Sequence, residues 1–236
     1  MNTQILLALI LSGTTGAIAG YLGSLMLSKR MALMGGALGH LTLPGVALAL
    51  LYDFDVSIGA TLFLAFGVLI IWLLEQKTRL HLEALTAVVF SASLATAFLF
   101  LPKEEIDIAL LGDVSQITLS TVLVTVIISI ILFFTVHKIY SSMVLASISS
   151  DLAQTNGINL KLYNGLYLIC IAVTVALGVR IVGGFMTAAL LAIPACTAKN
   201  ISSNLLQYTL FSTIAGSLAC ILGSSLMLFQ MFQLDL

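Results

Sequence analysis

Residues 56–74, VSIGATLFLAFGVLIIWLL, run without a single charged side chain. An α-helix of about 20 such apolar residues crosses the hydrocarbon core of a bilayer. The rest of the chain extends this pattern, because 60% of its 236 residues are hydrophobic and only 8% are charged, with a mean hydropathy of +1.17. A soluble domain carries about 25% charged residues to cover its surface. The solvent of this chain is therefore mostly lipid.

Apolar runs between the charged residues predict about eight membrane-spanning helices. A helix satisfies its backbone hydrogen bonds internally, as hydrocarbon requires, so we predict an all-α, polytopic fold that forms one domain over residues 1–236. The sixth and seventh predicted spans are short and meet at Arg180. The predicted spans are 4–28, 33–52, 56–74, 83–101, 117–137, 163–179, 181–198 and 205–232.

The basic residues predict an orientation with the N-terminus outside. Cytoplasmic loops of membrane proteins carry an excess of Lys and Arg. In this orientation only Lys103 and Arg180 lie on the outer side. Seven basic residues lie on the cytoplasmic side: Lys29, Arg30, Lys77, Arg79, Lys138, Lys161 and Lys199.

Two connections are more than simple turns. Residues 102–116 have an apolar centre too short to span, which predicts an interfacial or re-entrant helix on the outer side. The cytoplasmic segment 138–162 contains SISSDLAQTNGINLK, in which Ser149 or Ser150 can cap a short helix that Gly157 ends. This segment, about 147–160, is either a short helix that docks onto a soluble partner or an ordinary solvated loop.

His40 is the outstanding ionisable side chain inside a predicted span. It lies in MGGALGHLTLPG, residues 34–45, where glycines permit close helix approach and Pro44 frees a backbone carbonyl. We therefore expect this span to be kinked or interrupted, as transporter helices often are near a substrate site. Histidine binds divalent metals such as zinc. From the residues alone, His40 is either a metal ligand or a packing residue.

Catalytic and nucleic-acid motifs are missing from the sequence. It has no GxxxxGK[ST] phosphate loop, so ATP hydrolysis, if it drives this protein, occurs on a separate chain. It has no HExxH pair and no basic patch that would bind nucleic acid. We therefore predict a protein that is not itself an enzyme and that binds no cofactor.

Four stretches together resemble the permease subunits of the zinc, manganese and iron ABC importers, the ABC-3 type. Residues 22–51 resemble the family's basic turn followed by F-G-D-x-L-A-H-x-x-L-x-G-V-A. The other three match in the family's order and at its spacing. They are IALLGDVSQIT at 108–118, SISSDLAQTNGINL at 147–160, and VRIVGGFMTAALLAIPACTAKNIS at 179–202.

The resemblance implies a larger assembly in a prokaryotic cell membrane. Two such permeases would pair as a homodimer with cytoplasmic ABC ATPase subunits, and an external metal-binding protein would deliver zinc, manganese or iron. The family's coupling region, which contacts the ATPase, matches the segment near residue 150. This match favours the interpretation of that segment as a docking helix. Its matching positions here are Ser149, Asp151, Ala153 and Gly157.

The metal region departs from the family pattern. The family has an Asp four residues before the His, on the same helical face. Here that position is Gly36, while His40 remains as the predicted pathway ligand. Three explanations stay open: another acid such as Asp113 supplies the charge, the site is weaker, or the transported ion differs.

Other functions compete with metal import at this stage. A gradient-driven secondary transporter would need no cytoplasmic docking helix and usually shows internal repeats or several buried acids. A membrane-embedded enzyme would need a second catalytic group near His40. A degenerate family member would keep the fold without transporting metal.

Overall fold

The computed structural model describes residues 2–29, 31, 34–54, 56–78, 80–100 and 118–234. Within these ranges the regular structure is entirely helical. The predicted helix at 102–116 lies outside the described residues. The helices are α1 (Asn2–Ser28), α2 (Met34–His40), α3 (Leu43–Leu51), α4 (Val56–Lys77), α5 (Leu82–Phe100), α6 (Leu119–Ile148), α7 (Ser150–Thr155), α8 (Leu160–Ile201) and α9 (Leu205–Leu234).

Seven stretches of the described chain are long and apolar enough to cross a membrane, against the eight predicted. The all-α membrane fold is therefore confirmed. Six of the seven agree with predicted spans to within a few residues. The seventh, α6, continues as helix to Ile148 rather than ending near residue 137. Residues 138–148 carry no proline or glycine, so nothing in the backbone interrupts the helix there.

The sequence predicted separate spans at 163–179 and 181–198, and the structure places both in α8. The structure describes Leu160–Ile201 as one helical element, with no loop between the two predicted spans. The first of the two predicted spans is a candidate crossing, as Leu160–Val179.

Helix α8 reverses direction between Gly178 and Thr187, close to the boundary that the sequence predicted at Arg180. A methyl group placed on Gly178 would lie 2.6 Å from the Cγ2 atom of Thr187, although a straight helix separates these residues by about 13 Å. The Tyr167 hydroxyl donates to the carbonyl of Leu22, and Leu191 packs against neighbouring Gly23. Both halves of α8 therefore lie beside the same turn of α1, and both of its ends lie toward the end of the bundle at which α1 ends.

Helices α1 and α9 pack antiparallel along a seam of small residues. A methyl group on Gly16 would overlap the carbonyl of Gly216, and one on Gly20 would overlap the carbonyl of Ser212. The Ser212 hydroxyl donates to the Gly20 carbonyl at 2.6 Å. In a bilayer, where apolar side chains gain little by leaving lipid, such backbone contact is a main source of helix association.

Burial separates the inner helices from those that face lipid. Side chains of α1 and α2 form much of the core with parts of α6 and α8. Helices α4, α5 and α6 instead expose large apolar side chains, such as Phe98 and Phe134, each 66% exposed. Exposed apolar surface on this scale is costly in water and suits a lipid environment.

Candidate metal pathway and coupling helix

The second span is interrupted at His40, as the sequence predicted. Helix α2 ends at His40 and α3 begins at Leu43, which leaves Leu41 and Thr42 as the link. The Thr42 hydroxyl donates to the Gly39 carbonyl at 2.7 Å. Pro44 lies in the first turn of α3, where its missing N–H costs little. It cannot supply the N–H that a continuous helix would direct at the His40 carbonyl.

Helix α2 has one fully buried face and one that is only half-buried. Met34, Gly35, Leu38 and Gly39 are buried. Gly36 and His40, one helical turn apart, are half-buried and therefore share a face. Among the described residues, a methyl group on Gly36 would meet the Cβ atom of Ala188, at an ordinary 3.5 Å. Packing therefore does not require glycine at position 36.

The His40 ring lies beside an aromatic side chain of α5. Its centroid is 5.5 Å from that of Phe90, with the two rings tilted by 52°. Within the described ranges no three His, Cys, Asp or Glu side chains come together as a metal cluster. Asp113, the other predicted pathway ligand, lies outside the described residues. The described part of the predicted pathway therefore offers one imidazole on a half-buried face.

The predicted short helix in the segment 147–160 is present as α7. The Ser149 side chain accepts from the Leu152 N–H at 3.3 Å, so Ser149, rather than Ser150, is the N-cap. At the other end Gly157 has φ +75°, and the Gly157 N–H donates to the Gln154 carbonyl. The Ile158 N–H donates to the Ala153 carbonyl, which completes a Schellman motif. Helix α7 is therefore fixed at both ends.

Helix α7 presents most of its surface outward. Ala153 is fully buried, whereas Asp151, Leu152 and Gln154 are exposed. The helix contacts α6 and α8, the two long helices that it joins. A short, doubly capped helix anchored by one small side chain can act as a rigid block that carries an applied force to both neighbours.

A polar cluster that sequence analysis missed lies at the end of α1, close to the start of α8. The Lys29 ammonium donates to Asn164 Oδ1 at 2.5 Å. Asn164 Nδ2 in turn donates to Glu75 Oε1 at 2.6 Å. Lys29 Nζ also lies 5.8 Å from the centre of the Tyr167 ring and 3.7 Å from Met143 Sδ. We call Lys29, Asn164 and Glu75 the polar triad.

Burial lowers the pKa of Lys29 to about 8, and the charge of Glu75 partly opposes that shift. Sequence analysis identified Lys29 only as a cytoplasmic charge. Its partner Asn164 is 135 residues away, and Glu75, which Asn164 also contacts, lies on a third helix. No local pattern identifies Asn164 as their common partner.

Comparison with known proteins gives one consistent result. The sequence profile of the ABC 3 transport family matches residues 1–231. The manganese transport system membrane protein MntC of Listeria monocytogenes is 29% identical over 92% of this chain and 79% of its own length. The high-affinity zinc uptake system membrane protein ZnuB of Buchnera aphidicola from Acyrthosiphon pisum is 29% identical over 95% of this chain and 86% of its own.

A solved structure shares the fold. In PsaBC from Streptococcus pneumoniae in complex with Fab, one chain superposes with a TM-score of 0.75 at 24% identity. The match covers 97% of this chain and 83% of that one. The helical arrangement of this chain thus has a fold already known from experiment.

Proposed function

The chain belongs to the ABC 3 transport family, and from this premise we propose that it is the membrane-spanning permease subunit of an ATP-driven importer of divalent metal ions. It is a multi-span helical protein of the prokaryotic plasma membrane. The match of the family profile across residues 1–231 carries the proposal. ATP hydrolysis belongs to a separate subunit, and this chain is not itself an enzyme.

The half-buried face of α2 supports a metal path through this subunit. His40 is the proposed pathway ligand, at the break between α2 and α3. A transported ion must leave its ligands again, so a single imidazole with few anionic partners suits passage better than tight storage. Asp113 is a second proposed contributor, because it lies in the predicted outer segment 102–116, on the side from which an ion would enter.

The partners follow from the family and from α7. We assign Ser149, Asp151, Ala153 and Gly157 to the contact with the cytoplasmic ATPase, since they form the capped helix and its stop. An external metal-binding protein delivers the ion, and two copies of the permease form the pore. A gradient-driven transporter would have no use for such a docking helix, and no feature of the described residues favours it.

Manganese and zinc are the proposed ions, because relatives are named for their transport. Iron(II) shares imidazole and carboxylate ligands with both and is the third candidate. The absence of a carboxylate at Gly36 favours an ion that a nitrogen ligand binds well. Zinc binds imidazole more tightly than manganese does in the general affinity order.

The test is ATP-driven uptake by the complete transporter in proteoliposomes. The permease, its ATPase and its binding protein are reconstituted, and uptake of manganese, zinc and iron(II) is measured in turn. We expect uptake of at least one ion, and a loss of about tenfold in His40→Ala, the scale on which metal-site partners act. His81→Ala, which removes an exposed histidine, serves as the control. Normal uptake by His40→Ala would remove His40 from the pathway.

A further inference from the structure

The polar triad joins three helices that are far apart in the sequence. Lys29 directly follows α1, Glu75 lies in the last turn of α4, and Asn164 lies in the first turns of α8. The Asn164 amide is oriented so that its oxygen faces the ammonium and its nitrogen faces the carboxylate. One neutral side chain therefore stands between two groups of opposite charge and bonds to both.

The triad leaves bonding capacity unused. Glu75 Oε2 is buried and makes no hydrogen bond to any residue that the structure describes. Lys29 has three N–H donors, and the contact beyond Asn164 is to a thioether sulfur, a weak acceptor. A buried carboxylate oxygen without a partner is costly, and a direct bond to an ammonium would be stronger than either amide bond.

Asn164 is also the member of the triad nearest to α7. Only Ile158 and Asn159 separate the Gly157 turn from α8, and the Asn159 side chain caps α8 by accepting from the Leu162 N–H at 3.3 Å. Lys161, one turn before Asn164, contacts α4 through its ammonium and the Gln76 carbonyl. The Lys161 carbonyl accepts from Trp72 Nε1. A displacement of α7 therefore reaches the first turn of α8 without passing through a flexible linker.

We propose that Asn164 is a positioning residue that keeps Lys29 and Glu75 apart in this conformation, and that movement of α7 withdraws it so that the two charged groups pair directly. The inference rests on the proposed function, because it takes α7 as the contact with the ATPase. Exchange of the amide bridge for an ion pair gives α1 and α4 a second stable arrangement. The ATPase would thus act on the helix that leads to the broken span at His40.

The test measures metal ions imported per ATP hydrolysed by the complete transporter in proteoliposomes. Asn164→Ala allows direct pairing without movement of α7, so we expect ATP hydrolysis to continue while this ratio falls about fivefold, within the range of coupling changes known for such networks. Glu75→Gln lowers the ratio because it abolishes the ion pair. Gln76→Ala, which removes an exposed polar side chain beside Glu75, is the matched control and leaves the ratio unchanged.

The pH dependence separates this role from a merely structural one. The groups that face Lys29 are Glu75 from α4, Asn164 and Tyr167 from α8, and Met143 from α6, with Lys161 also close to Glu75. Burial lowers the pKa of Lys29 to about 8 in the amide-bridged conformation, so the ammonium needed for the ion pair is lost from that conformation as pH rises through that value. We expect the ratio to fall there. Lys29→Arg keeps its charge at higher pH and should move the fall upward.

Three outcomes would overturn the inference. An unchanged ratio in Asn164→Ala would show that the amide does not hold the charges apart. A proportional loss of transport and ATP hydrolysis, or the same pH profile in Lys29→Arg, would reduce the triad to a structural contact. If the unmodified transporter imports metal and these results are found, the proposed function stands and only this inference fails. If the unmodified transporter imports no metal, both fail.

Discussion

Glycines line both the α1–α9 seam and the half-buried face of α2, but for different reasons. At Gly16 and Gly20 the neighbouring backbone carbonyl occupies the space that a side chain would need. At Gly36 the nearest atom to an added methyl group is 3.5 Å away. Close packing therefore explains the first two glycines and leaves the third unexplained. Position 36, one turn before His40, therefore has room for a side chain on the same face as the imidazole.

The largest expected effect breaks the seam. In Gly20→Leu the new side chain has no room against the Ser212 carbonyl, so the two helices must separate. We expect a loss of about 3 kcal/mol in stability, the upper range for overpacking a core. Thermal unfolding of the purified protein in detergent measures it. Gly223→Leu on α9 is the control, because no atom of the described part of the chain lies within 4 Å of a Cβ atom placed there. Equal melting temperatures for the two variants would contradict close contact at the seam.

A smaller effect is expected at Gly157, where backbone conformation and not space requires glycine. Its φ of +75° would cost a leucine about 1 kcal/mol, and no neighbour lies within 4 Å to be displaced. We expect Gly157→Leu to insert normally and to hydrolyse ATP with reduced metal uptake, because α7 loses its fixed end. Gly157→Asn tolerates positive φ better and should retain coupling. Normal uptake in Gly157→Leu would count against α7 as the coupling helix.

The smallest structural effect is expected for Gly36→Asp. The half-buried face has room for the side chain, and a carboxylate that faces an aqueous path stays hydrated, so stability should change far less than the about 3 kcal/mol that an Asp facing hydrocarbon costs. The carboxylate would lie one turn from His40 and add a ligand for divalent ions. We expect isothermal titration to show that Gly36→Asp binds manganese more tightly than the unmodified protein. The double variant Gly36→Asp with His40→Ala should not show this gain in affinity. Collapse of the fold in Gly36→Asp would show that position 36 is packed after all.

The fold was largely predictable because the bilayer imposes simple rules. Charge-free runs of spanning length identified most spans, and Pro44 with its flanking glycines identified the break at His40. Ser149 and Gly157 defined α7 because capping is a local property of a few residues. All of these features depend on neighbours in the sequence.

The features that sequence analysis missed depend on distant partners. The polar triad depends on three helices meeting, and no local pattern encodes that meeting. Gly36 was noted as a departure from the family, but whether a side chain would fit there required the position of Ala188.

The most direct test of the central claim is thiol labelling of the two faces of α2. Cysteine is placed at position 36 or at position 35, in a background where Cys170, Cys196 and Cys220 are replaced by alanine. If the half-buried face lines an aqueous path, a water-soluble thiol reagent should modify Gly36→Cys much faster than Gly35→Cys. Manganese or zinc should slow only the former. Equal labelling rates at the two positions, or no effect of metal on position 36, would contradict the account.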